Sequence, residues 1–165
     1  MARRVSFIAG LFLLFSLTAH AQDSVQVFGG YSFMHYGTTP SFNTNGWEIS
    51  GEYKLFPWIG VFGDVDGHYG TFENVSSTTN DFLLGPQVSW NARISPFAHA
   101  MIGEARFSGG GVTSSGLASG FGFGIDDRLM PLISWRVIQF DLVHTHLFRT
   151  GQSNMRVSTG IVIHF

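Results

Sequence analysis

Near the end of the chain, Asp141-Leu142-Val143-His144-Thr145-His146 sets two imidazoles two residues apart. In an extended strand alternate side chains share a face, so His144 and His146 could converge on one metal ion. A serine beside either ring would make a nucleophile–base pair, and Ser153 and Ser158 follow closely in the chain. A second set is larger. Glu48, Glu52, Asp64, Asp66, Glu104, Asp126 and Asp141 recur with Lys54, Arg106 and Arg156 in segments that otherwise hold few charges. Removed from water, such groups must pair and hydrogen-bond to one another. Cysteine is absent, which excludes thiol nucleophiles, disulfides and Cys-ligated metals. What these groups can do depends on the elements that carry them.

The composition narrows those elements. Of 165 residues 44% are hydrophobic and only 12% charged, a charged share about half the usual globular level. Nine Lys+Arg against eleven Asp+Glu leave no basic excess for phosphate backbones, so nucleic-acid binding is not expected. A chain this apolar and aromatic is not disordered, and its length suits one domain. A soluble surface would carry more charge.

Arg3 and Arg4 precede the apolar run Val5–Leu17, and Ala19-His20-Ala21 follows. A charged start, a short apolar stretch and an A-x-A site predict a cleaved signal peptide over residues 1–21. As a membrane anchor the run falls short of the roughly 20 residues a spanning helix needs. Gln22, not Cys, follows the cleavage site, so lipid-modified processing is not indicated. Cleavage removes two Arg and no acid, leaving seven Lys+Arg against eleven Asp+Glu, a formal charge of −4 on residues 22–165.

Those residues alternate with a period of two. Trp47, Ile49, Tyr53 and Leu55 share one face, and Glu48, Ser50, Glu52 and Lys54 the other. Eight such segments are predicted, near 24–35, 46–55, 59–70, 81–90, 95–107, 117–128, 135–147 and 153–165. Short joins such as Phe56-Pro57-Trp58 alternate with polar, Gly-rich ones at 36–45, 71–80, 108–116 and 148–152. An even number of strands with short turns at one end and longer loops at the other predicts an all-β fold: an eight-stranded antiparallel up-and-down transmembrane β-barrel. The face bearing Trp47, Tyr53, Phe82, Trp90, Phe121, Phe123, Phe140 and Phe165 is assigned to lipid. Glycines, serines and the strand charges face the lumen. A soluble barrel would invert this.

On this assignment Glu48, Glu52, Lys54, Asp64, Asp66, Glu104, Arg106, Asp126, Asp141 and Arg156 form a polar lumen network, joined by His68 and Gln87. An internal plug and a narrow gated ion path are both open, because seven acids against three bases leave negative charge over. The same alternation puts His144 and His146 on the lipid side near the headgroups, which favours interfacial side chains over metal ligands. No metal, cofactor or catalytic set is assigned.

The chain resembles the eight-stranded outer-membrane β-barrel family typified by the OmpA transmembrane domain. Signal peptide apart, the match rests on Gln26–Ser32, Pro96–Ala100, Gly122–Asp126 and Thr159–Phe165. The resemblance implies that the alternating terminal strand, with Ile161, Ile163 and Phe165, is the signal read by the outer-membrane insertion machinery. It further implies a multi-pass location in a bacterial outer membrane among its lipids, as a monomer. The periplasmic peptidoglycan-binding domain of the archetype is not matched. The expected role is structural or surface-interacting, adhesin-like through loops open to extracellular ligands, and not enzymatic. A narrow porin-like channel is the alternative. A lipid-modifying barrel enzyme and a soluble periplasmic binding barrel stand behind it.

Overall fold

The alternation runs through eight strands: β1 (Val25–Tyr36), β2 (Phe42–Phe56), β3 (Ile59–Phe72), β4 (Val75–Ser89), β5 (Ile94–Gly109), β6 (Val112–Met130), β7 (Ile133–Leu147) and β8 (Thr150–His164). The structure, a computed structural model, describes residues 24–38, 41–72, 75–147 and 150–165; the leader expected over 1–21 lies outside them. Each strand pairs antiparallel with the next. β1 also pairs with β8, from Gln26↔His164 to Tyr36↔Asn154, which closes the barrel. Closure leaves the sheet without a free edge strand. Among the described residues no helix is long and apolar enough to cross a membrane.

The strands outrun the sequence expectation. In the regions 36–45, 71–80, 108–116 and 148–152, expected as polar and mostly longer loops, most of the described residues are ladder. Thr78 pairs with Ser108, Ser108 with Thr113 and Asn43 with His35. Apolar pairing lower down sets the register, and the polar residues then zip on in step. Serine, threonine and asparagine read as loop in sequence, yet they serve as strand wherever a strand stands in water. The β5–β6 connection shrinks to Gly110 and Gly111, both with positive φ (58° and 78°). That is the geometry a two-residue hairpin turn requires. The end opposite the termini is thus a raised rim of polar strand.

The faces divide as an inverted core. Ile49, Val65, Phe82, Leu84, Ile102, Phe121, Phe123, Ile138 and Ile161 are exposed on the outer wall, and Trp58, Trp90, Trp135 and Phe165 are exposed around its terminal end. The interior is more apolar than the alternation suggested: Phe28, Phe62 and Phe97 point inward. Phe62, Leu83, Met101, Ala105, Ala118 and Val143 pack as one apolar sector of the lumen.

Ile161 and Ile163 on β8, and Phe165 just beyond it, all face out. At mid-wall, Ile161→Arg should cost about 2–4 kcal/mol in vesicles, whereas Ser115→Arg on the rim should cost about 0–1 kcal/mol. Urea unfolding in bilayers checks both, and equal costs would contradict this placement of the belt.

Candidate functional site

The site is the polar half of the lumen, and β8 supplies its centre. Arg156 is fully buried and reaches four carboxylates on three other strands. Its Nε lies 2.8 Å from Asp141 and 3.7 Å from Glu48, and its Nη1 bonds Asp66. Asp64 Oδ2 lies 2.6 Å from Nη2, in contact but off hydrogen-bond angle. Around this cation, Ser158 donates to Glu48 at 2.5 Å, and Gln139 donates to both Glu48 (2.9 Å) and Asp141 (2.8 Å). His68 Nδ1 lies 3.1 Å from Asp66, with Nε2 3.0 Å from Ser32.

A second layer sits nearer the termini. Arg136 grips Asp126 in a fork, Nε to Oδ1 at 2.9 Å and Nη2 to Oδ2 at 3.1 Å, and its Nη1 donates to Gln139 at 2.7 Å. Its guanidinium lies 4.4 Å from the Phe28 ring centre and 4.2 Å from that of Phe97. Fork and ring faces together use most of what an arginine offers. Gln87 donates to Glu52 at 2.8 Å, and His99 Nε2 lies 2.8 Å from Asp141, which links the two layers. Gly122 makes room for that link, because a Cβ there would collide with the Asp141 carboxylate and the His99 ring. Lower still, Lys54 donates to Asn91 at 2.5 Å.

The structure therefore places Glu48, Glu52, Lys54, Asp64, Asp66, Asp126, Asp141 and Arg156 inside, along with His68 and Gln87. It does not place Glu104 or Arg106 there. Both side chains are exposed on the outer wall of β5, sharing parity with Ile102, while Phe97, His99 and Met101 take the inward positions. Asp81 and Arg136 stand inside in their stead. Asp81 follows from simple parity, being one residue from outward Phe82. Arg136 does not. A bulge in β7, where Arg136↔Gly160 steps to Gln139↔Ser158, leaves Val137 and Ile138 both outward and turns Arg136 in. Two gaps along the lumen are each about 10 Å³, room for about one water.

With this geometry in hand, comparison with known proteins decides the fold. No protein-family model and no curated sequence matches the chain. Solved structures do. Neisserial surface protein A superposes with a TM-score of 0.76 at 12% identity, over 88% of this chain and 100% of that one. The chain has the fold of the eight-stranded outer-membrane barrels. Ail, the attachment invasion locus protein of Yersinia pestis, gives 0.55 at 17% identity, covering 87% and 100% of the two chains. OprG from Pseudomonas aeruginosa also gives 0.55, at 12% identity, over 88% and 97%.

Outside the lumen, His144 and His146 face outward on β7 with ring centres 4.8 Å apart, and His144 Nδ1 lies 3.1 Å from Ser153 Oγ. Ser158 points inward instead, to Glu48. The backbone around Ser153 is paired with both neighbouring strands, as Ser153↔His144 on β7 and Asn154↔Tyr36 on β1, which leaves little N–H to steady an oxyanion. Among the described residues no group of three or more metal-ligating side chains forms.

Removing the central cation strands four buried carboxylates. Arg156→Met should destabilise the barrel by about 3–5 kcal/mol. Adding Asp64→Asn and Asp141→Asn to that variant should restore part of the loss, measured by urea unfolding in vesicles.

Proposed function

We propose that this chain is an outer-membrane barrel with a plugged lumen, whose role is structural or lies in contact at the cell surface. The filled lumen carries this reading: two guanidinium layers, Arg156 with its four carboxylates and Arg136 with Asp126, cross the interior, and two gaps among the described residues there are each about 10 Å³. A path so filled does not pass hydrated ions, so the working surface is the outside. The apolar outer wall supports residence in a bilayer, with the termini and short turns on the periplasmic side and the polar rim outside. The fold neighbours support the location, being outer-membrane proteins, and two carry descriptions of surface position or attachment. One structure of Ail holds the heparin analogue sucrose octasulfate. In this chain the contact surface would be the rim, where Asn43, Asn45, Thr78, Asn80, Thr113 and Ser115 offer uncharged hydrogen-bonding groups on rigid strands.

One observation favours the channel alternative. Among the described residues the lumen holds seven acids, Glu48, Glu52, Asp64, Asp66, Asp81, Asp126 and Asp141, against three bases, Lys54, Arg136 and Arg156. Excess negative charge attracts cations.

The test has two steps. Residues 22–165 refolded in detergent micelles should migrate differently on a gel before and after boiling, as a closed, stable barrel does. Reconstituted in planar bilayers, the same protein should show no unitary conductance steps. Cation-selective steps, abolished by Asp64→Asn with Asp81→Asn, would replace the plug with the pore. A folded protein that needs no detergent would defeat the membrane reading altogether.

A further inference from the structure

The outward histidines stand where the wall changes character. Across β6, β7 and β8, Phe121 pairs with Leu142 and Leu142 with Met155, an apolar row. One row toward the rim, Ser119 pairs with His144 and His144 with Ser153; in the row beyond, His146 pairs with Gly151. On β7 and β8 the boundary between apolar and polar wall falls between these rows, the level at which lipid headgroups meet acyl chains.

Two features shape that boundary. Ser119 is a small outward side chain between Leu117 and Phe121. The hollow over it, bordered by Phe121, Leu142, His144 and Ser153, measures about 400 Å³. Above the hollow the imidazoles converge: Nε2 of His144 lies 3.1 Å, and Nε2 of His146 3.6 Å, from the place a Cβ would take on Gly151. A side chain at 151 would press on the rings; glycine leaves both ring nitrogens uncovered, and the open space beyond them is the Gly151 cradle. With His144 Nδ1 beside the Ser153 hydroxyl, its Nε2 can carry a proton outward. The described outward residues flanking the pair, Leu117, Ser119 and Phe121 on β6 and Gly151, Ser153 and Met155 on β8, include no carboxylate. Glu104 stands one strand further, on β5 opposite Leu117, and Arg106 beyond it toward the rim.

We propose that His144, His146 and the Gly151 cradle bind the phosphate of one anionic lipid, whose acyl chain lies in the hollow over Ser119. An apolar hollow continuous with two imidazoles that open on the Gly151 cradle fits an anionic phosphate on an acyl tail. A zwitterionic headgroup would bring a second, cationic group to a place where the described residues flanking the pair offer no acid. The site rests on the reading that the barrel spans a bilayer.

The test counts lipids. The chain, folded into phosphatidylcholine vesicles with a minor share of phosphatidylglycerol, is extracted in mild detergent and weighed by native mass spectrometry. One phosphatidylglycerol per barrel should be retained at about ten-fold its bilayer share, the size expected for a charge-assisted hydrogen bond. Gly151→Ala, which fills the cradle, and Ser119→Phe, which fills the hollow, should each return retention to the bulk share. His35→Gln, an outward histidine on β1 bonded to Asn43 instead, should leave it unchanged. Retention in proportion to bilayer composition, equal retention in all variants, or retention abolished by a chelator would overturn the site; the last would mean a bridging metal. The boiled and unboiled gel pattern of the same samples separates the two claims. A shift without enrichment defeats only the lipid site, and no shift defeats the membrane reading.

Discussion

Arg156 is the contact on which the interior depends. One guanidinium, carried by the last strand, meets Asp64 and Asp66 on β3, Glu48 on β2 and Asp141 on β7. Four carboxylates gathered without it would repel one another in a space with almost no water, and desolvation would add to the cost. With it, strands far apart in sequence are tied across the lumen. The cation comes from the strand that must pair with β1 to close the barrel, so electrostatic completion and closure of the ladder coincide.

The second layer works by shape as much as charge. Arg136 is sandwiched by Phe28 and Phe97 and forked to Asp126, and a single extra residue in β7 aims it inward. His99 joins this layer to the first through Asp141, in space that Gly122 leaves open. The apolar sector from Phe62 to Val143 fills what remains. The interior is thus a packed core turned polar on one side.

The outside of the barrel is as varied as its interior is filled. There the chain offers a rim of polar strands, Arg106 among them, and an apolar belt whose upper margin is broken by the His144–His146 pair. The low identity to Neisserial surface protein A and Ail, at the same fold, has a simple cause. An eight-stranded wall asks for alternation and for compensated charge inside, and many residue combinations meet both demands. The rim and the margin of the belt are free of those demands, so a role particular to this chain would be written there.

The alternation by itself determined the number of strands, their antiparallel order and which face of most strands is wet. Side-chain direction in a strand is local, and eight of the ten expected lumen residues follow from it. Glu104 and Arg106 were misplaced because their charge outweighed their parity. They face outward with Ile102, Glu104 between Phe82 and Leu117 and Arg106 between Asn80 and Ser115. Three features required the tertiary structure: the length of the polar strands, the inward turn of Arg136 and the meeting of four acids at Arg156. Each is set by cross-strand register, which depends on how neighbouring strands pair and where a bulge shifts them. No single segment carries that information, because the energy that selects a register is shared between two.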